Sequence, residues 1–358
     1  MKRSLALLLL LAACSTSRHV QTLPTATVPS SAQPSAAATA TMGTGPALLR
    51  VPVDFVPDSY TFVSPVRGWA LGQGACPSRP VSCTWVLTTQ DAAKTWRALS
   101  VIAAGQPHTM RFGSGYDGFA WSATSFLTTH NGGLGWKPQL AGGEVLAAET
   151  SGQLTWLVTR SCPTCAPELR RGKVHGDSWT PVKGVALQPG AVSAQLVLHG
   201  PAVYVLGAPQ VPEAPALAYS SPDGRQFSPL DLPCQRGETP SLAVDASLLL
   251  SCSSQQGQAS YWSAPAPGSQ WQPLPAPFSG APRGLTQSGT IDFAMSGAVV
   301  RLSQNGGRSW SDSLAGRTDL RALGFVTPTL GFVLEGQKQR HLLVTRDGGQ
   351  SWSPVTFI

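Results

Sequence analysis

The sequence predicts an all-β fold, a seven-bladed β-propeller of four-stranded antiparallel blades. Three observations predict it. The 358 residues include 37 Gly and 31 Pro but only 12% charged residues, while 42% are hydrophobic. That composition suits a loop-rich β fold with a real core and excludes a coiled coil or a charged disordered chain. Apolar runs are short, rich in β-branched and aromatic residues, and bounded by Gly, Pro or Asn, with no sustained 3.6 period. Finally, one segment recurs about every forty residues, and such a period marks repeat architectures.

The chain opens with Lys2 and Arg3, followed by the apolar run Leu5 to Ala13. About nine residues are too few to span a bilayer, which needs roughly 20. Residues 1–13 read as a secretory signal. The run ends Leu11-Ala12-Ala13-Cys14, which resembles a bacterial lipobox. The resemblance implies cleavage before Cys14 and its acylation, with two or three chains anchoring the protein to a membrane. The expected location is extracytoplasmic, in the cell envelope. Residues 14–46 are mostly Ser, Thr, Ala and Pro; such a stretch cannot bury enough surface to fold and reads as a tether with a reach of roughly 30 Å. The propeller is expected over 47–358. The formal charge of +7 is mild and forms no Lys/Arg run, so no nucleic-acid partner is expected.

Four copies of the repeat are plain: Thr89-Gln-Asp91-Ala-Ala-Lys-Thr-Trp96, Thr129-His-Asn131-Gly-Gly-Leu-Gly-Trp136, Ser303-Gln-Asn305-Gly-Gly-Arg-Ser-Trp310 and Thr345-Arg-Asp347-Gly-Gly-Gln-Ser-Trp352. Ser221-Pro-Asp223-Gly-Arg-Gln-Phe227 is one residue shorter, and worn copies end at Trp179 and Trp271. The seven aromatic anchors are spaced 40, 43, 48, 44, 39 and 42 residues apart. Upstream of each lies a short apolar strand, such as Gly68-Trp69-Ala-Leu71, Gly118-Phe119-Ala-Trp121 or Gly331-Phe332-Val-Leu334. The last unit then reads as strands A (Arg321–Val326), B (Gly331–Leu334), C (His341–Thr345) and D (Ser351–Thr356). The segment Leu48–Phe55 is expected either to pair with the last blade and clasp the ring, or to form an extra edge strand.

Turn physics explains the repeated residues. Asp or Asn bonds its own backbone further along the turn, Gly supplies a positive φ, and the aromatic ring packs beneath the turn. These residues are therefore read as structural. The pattern [ST]-x-[DN]-G-G-x-[ST]-W resembles the Asp box, or bacterial neuraminidase repeat. Combined with Gly-Trp-Ala-Leu it is more similar to the photosystem II assembly/stability factor-like propellers. That resemblance covers about residues 58–358 and implies an exported, seven-bladed binding or assembly protein. The repeats name an architecture and not a reaction.

Apart from Cys14, six cysteines fall in near pairs: Cys76 with Cys83, Cys162 with Cys165, and Cys234 with Cys252. In an exported chain an even set suggests disulfides, and proximity favours this one of 15 pairings. Cys162-Pro-Thr-Cys165 is also open to a redox or metal reading.

In propellers of this type the B–C and D–A loops surround the channel mouth. The B–C loops expected at Gly72–Thr84, Arg160–Pro167 and Gly207–Leu217 carry disulfides or prolines and resemble a preorganised recognition surface. Arg79, Arg160, Lys338 and Arg340 are the candidate contacts there for an anionic partner surface. The expected partner is an envelope protein or glycan, bound by a monomer. No cofactor and no metal are expected: the six histidines are scattered, and no zinc or phosphate-loop motif is present. No catalytic residue is assigned. The alternative reading is a sialidase-like Asp-box glycoside hydrolase acting on envelope or extracellular glycans. It would need two convergent carboxylates at the mouth, for which Glu144, Glu213, Asp231, Glu238 and Glu335 are available.

Overall fold

The computed structural model describes residues 49–77, 81–103, 105–191, 193–208, 211, 213–337 and 340–357. The leader, Cys14, the tether, Arg79 and Lys338 lie outside them. Residues Leu48–Ile358 form one compact unit.

Seven sheets of four strands follow one another along the chain, each built from consecutive antiparallel strands A to D. Blade 1 comprises Val56–Phe62, Gly68–Ala75, Ser82–Thr89 and Arg97–Ile102, and blade 2 Thr109–Phe112, Gly118–Trp121, Phe126–Thr129 and Lys137–Pro138. Blade 3 comprises Glu144–Ser151, Leu154–Arg160, Glu168–Lys173 and Trp179–Pro181. Blade 4 comprises Ser193–His199, Ala202–Ala208, Leu217–Ser221 and Ser228–Pro229. Blade 5 comprises Thr239–Val244, Leu248–Ser253, Ala259–Ala264 and Gln272–Leu274. Blade 6 comprises Gly284–Ser288, Ile291–Met295, Val300–Ser303 and Ser311–Leu314, and blade 7 Arg321–Phe325, Gly331–Glu335, His341–Thr345 and Ser353–Pro354. No helix occurs among the described residues.

The B strands read as unbroken apolar runs because both their faces are buried. Side chains alternate across a strand, so each B strand feeds two seams between blades. In blade 4, Val203 and Val205 pack on blade 3, while Tyr204 and Leu206 pack on blade 5. Apolar clusters of this kind join blades 7 and 1, 1 and 2, 2 and 3, 3 and 4, 4 and 5, and 6 and 7. No anchor ring is exposed: Trp96 and Trp179 are buried, and Trp136, Phe227, Trp271, Trp310 and Trp352 are partly buried. Trp352 donates its indole N–H to Ser313 Oγ of blade 6 (3.0 Å), linking neighbours.

The repeated turns are closed by their own side chains. In blade 7, Thr345 Oγ1 donates to Asp347 Oδ1 (2.8 Å) and accepts from the Gly349 N–H (2.8 Å), while Asp347 Oδ1 also accepts from the Ser351 N–H (2.9 Å). Blades 1, 2 and 6 repeat the geometry with Asp91, Asn131 and Asn305. Gly348 and Gly349 take φ of +72° and +86°. Blade 1 places Ala92 and Ala93 at the same points, with φ of +61° and +62°, where an L side chain is strained.

The ring closes differently from either expectation for Leu48–Phe55. Blade 7 holds only its own four strands, and the described residues 49–55 join no sheet. Val51 and Phe55 instead pack into the apolar cluster shared by blades 7 and 1, and Phe55 meets Phe357 edge-on with centroids 4.9 Å apart. Phe62 stacks on Phe332 across the seam at 4.5 Å. Two turning residues at Val53–Asp54, with Asp54 bound to the Ala75 N–H (3.0 Å), keep this segment from running on as a strand. Strand D of blade 7 is also shorter than expected, Ser353–Pro354 rather than Ser351–Thr356, because Trp352 turns into the seam and Pro354 lacks a donor. The first B–C loop shrinks to Cys76–Val81, since strand B runs on to Ala75 and strand C begins at Ser82.

Candidate binding site

The seven A strands stand innermost and line the central channel. Their outer-facing backbone groups are partly capped by a neighbouring blade. Gln195 bonds both the N–H and the carbonyl of Leu242 (2.9 Å each), and Ser59 accepts from the Met110 N–H (3.2 Å). Blades 7 and 1 lack this close pairing: their A strands stand further apart than the other neighbouring A strands. Strand A of blade 7 loses register between Arg321 and Gly324, and Ala322 takes a φ of +51°. The gap is a pocket of about 500 Å³ lined by Ser59–Pro65, Arg111 and Ala322–Val326.

Tyr60 crosses the back of this gap. Its hydroxyl lies 2.8 Å from the Phe332 carbonyl and also meets that of Ala322. Burial pushes the Tyr60 pKa far up, against the opposing pull of the Arg111 charge, so the phenol stays a donor. Arg111 reaches in from strand A of blade 2. Its Nε donates to Glu149 Oε1 (2.9 Å) and its Nη1 to the Met110 carbonyl (2.9 Å), with Nη2 making none of the described hydrogen bonds. The Glu149 charge raises the Arg111 pKa above its ordinary value. With the Tyr60 hydroxyl already engaged by backbone carbonyls, what the pocket offers is the Arg111 Nη2 donor beside irregular strand backbone, which suits an acceptor-rich extended chain.

At the mouth, the two described candidate arginines are held by internal partners. Arg160 Nη2 pairs with Glu144 Oε2 (2.6 Å) and Nη1 donates to the Ala191 carbonyl (2.9 Å). Arg340 pairs with Asp58, which is buried and also faces His108 at 3.6 Å. Arg160 and Arg340 belong to separate ion pairs, the first within blade 3 and the second between blades 7 and 1. Of the candidate carboxylates, Glu144 faces Arg160, Glu335 faces Arg317 (3.5 Å), and Glu238 accepts from the Gln235 N–H (2.7 Å). All three cysteine pairs are joined, with Cα separations of 5.0, 5.0 and 5.2 Å. Glu238 lies beside the sulfurs of Cys234 and Cys252, which the disulfide already engages.

Two features escaped sequence reading. Arg111 sits in an unremarked inner strand, and its role depends on the seam beside it. His130, inside a repeated turn, bridges blades: Nδ1 lies 2.7 Å from Asp117 Oδ1 and Nε2 3.1 Å from Asp177 Oδ1. Asp177 comes from blade 3's turn, so only tertiary structure completes the bridge.

No family model and no curated sequence matches the chain. Solved structures match in fold. YCF48 bound to D1 peptide aligns with a TM-score of 0.58 at 16% identity, covering 83% of this chain and 95% of that one. YCF48 from Cyanidioschyzon merolae gives 0.58 and 16%, covering 84% and 98%. The β-propeller domain of the Trilobed protease from Pyrococcus furiosus, described as having an open velcro topology, gives 0.58 at 8% identity, covering 84% and 98%. At these identities the likeness is one of fold.

Proposed function

We propose that the chain is an extracytoplasmic scaffold, anchored through acylated Cys14, that binds an extended segment of an envelope protein in the pocket where blades 7, 1 and 2 meet. The observation that carries this reading is the pocket of about 500 Å³ between the A strands, with the Arg111 guanidinium at its side. Its walls are strands A of blades 1 and 7, already paired in their sheets, so ordering costs on binding fall mainly on the partner. The fold shared with YCF48, solved with a D1 peptide, supports a peptide as the class of ligand. In this reading the [ST]-x-[DN]-G-G-x-[ST]-W turns are Asp boxes that hold the ring, and Arg160 and Arg340 are engaged by Glu144 and Asp58 rather than by the partner.

The test is a photo-crosslinking side chain at Ser64, on the pocket wall, in native membranes. A discrete partner band is expected, lost with Arg111→Met and retained with Arg301→Met on the outer strands of blade 6. A band indifferent to Arg111→Met, or no band, contradicts the reading. Cys14→Ser is expected to release the protein from the membrane.

A further inference from the structure

Every propeller blade has an outer edge, and a free strand edge can pair with another chain. Five outer strands here are two or three residues long and carry proline two residues past the anchor: Pro138, Pro181, Pro229, Pro273 and Pro354. Proline removes an edge donor. Blade 6 has no such proline, but its outer Asp312 is tied to Arg301 Nε (2.7 Å). Blade 1 departs from the rule. Its outer strand, Arg97–Ile102, has six residues, and Ala98 takes the proline's place.

Beside this edge lies a second hollow, of about 720 Å³, lined by Leu49–Val51, Val53, Trp96–Ala98 and Phe357. Arg50 and Arg97 are exposed at it, and neither joins an ion pair among the described residues. Asp91 shares an adjoining hollow with Arg97, but its oxygens are engaged by Thr89, Lys94 and Thr95. The indoles of Trp271, Trp310 and Trp352 donate to acceptors from the preceding blade: Asp231 O, Pro275 O and Ser313 Oγ. Those of Trp96, Trp136 and Trp179 are buried without a partner. Of these three, Trp96 lines this hollow, and its residue is only 2% exposed.

We propose that the outer edge of blade 1 accepts a fifth strand, an extended apolar and acidic segment of a partner protein, paired through its backbone with Arg97–Ile102. One apolar side chain enters the hollow next to Ala98. Carboxylates on the segment meet Arg50 and Arg97. Strand addition of this kind draws affinity from main-chain bonds and specificity from pockets for alternate side chains. The protein's own residues 15–48 contain no Asp or Glu and cannot supply the acids. A second copy would bring the same two arginines. The site lies on the rim, apart from the channel pocket, and does not depend on it.

Fluorescence anisotropy on the full chain tests the proposal with a fluorescein-labelled nonapeptide of alternating valine and glutamate. Binding is expected, weakened roughly tenfold or more by Arg97→Glu. Replacing glutamate by lysine in the peptide, or N-methylating its alternate amides, is expected to abolish binding. Thermal unfolding of Arg97→Glu controls for folding. No binding at about 1 mM, equal binding of the lysine or N-methylated peptide, or indifference to Arg97→Glu would overturn the proposal. Sedimentation showing a dimer that the peptide does not dissociate would assign the edge to a second copy and overturn it too.

Discussion

Phe332→Ala probes how the ring is closed. Phe332 is fully buried, stacks on Phe62 at 4.5 Å, and lies 5.5 Å from the Tyr60 ring. Both aromatic partners belong to blade 1, so the ring contacts that Phe332 makes are made across the seam. Truncating a buried Phe costs about 3–5 kcal/mol, part of it from the lost aromatic pairing, about 0.5–1.5 kcal/mol. At roughly 2 °C per kcal/mol for a domain of this size, the melting temperature should fall by about 6–10 °C. Phe293→Ala is the internal standard: Phe293 is equally buried and stacks on Phe325 at 4.1 Å in the seam between blades 6 and 7. Differential scanning calorimetry should give similar losses for the two variants. If Phe332→Ala cost less than about 1 kcal/mol, the level of an exposed change, while Phe293→Ala cost its full amount, blades 7 and 1 would not be packed together.

Further outcomes follow from the turns. Ala92→Gly with Ala93→Gly relieves two left-handed alanines and should raise stability by roughly 1 kcal/mol in chemical denaturation; a loss would refute the strain. Partial burial lowers the His130 pKa, but hydrogen bonds and charge from Asp117 and Asp177 outweigh it and the net shift is upward. Only the imidazolium can donate to both carboxylates. Its contribution should be complete below about pH 6.5, the unfolded value, and vanish as pH rises through the higher folded value. The stability gap between the parent and His130→Gln should thus close on going from acid to alkaline pH; a constant gap would refute the bridge. The Ser351 hydroxyl and N–H hold Asp347 at about 2, below the ordinary 3.8. That contribution is present above 3.8 and fades as pH falls toward 2. Asp347→Asn should forgo that contribution at neutral pH, so that parent and variant differ there and converge as pH falls toward 2, with a flatter acid limb in the variant's unfolding curve.

The blades were legible because their signals are local. Strand alternation and the turn residues act within a few positions, so Asp91, Asn305 and Trp352 could be placed from sequence. The near cysteine pairs were legible for the same reason. What joins distant blades was not. The register slip at Arg321–Gly324 shows in no residue pattern, so the pocket beside it and the part played by Arg111 stay hidden. The partners of Arg160 and Arg340 were equally obscure: Glu144 stands opposite Arg160 only once strands A and B of blade 3 pair, and Asp58, 282 positions from Arg340, meets it only across the seam between blades 7 and 1. The segment expected to pair as a strand instead fills, over its described residues 49–55, a wedge between two sheets through Val51 and Phe55.

The account rests on blades 7 and 1 being sealed by packing rather than by a shared strand. Removal of Ser351–Ile358 takes away Trp352, whose indole bonds Ser313, and Phe357, which touches Phe55 and Trp96. Thermal unfolding followed by tryptophan fluorescence and circular dichroism measures the effect. The expected result is a large drop in the midpoint of the whole transition; an unchanged midpoint would contradict the packed seam.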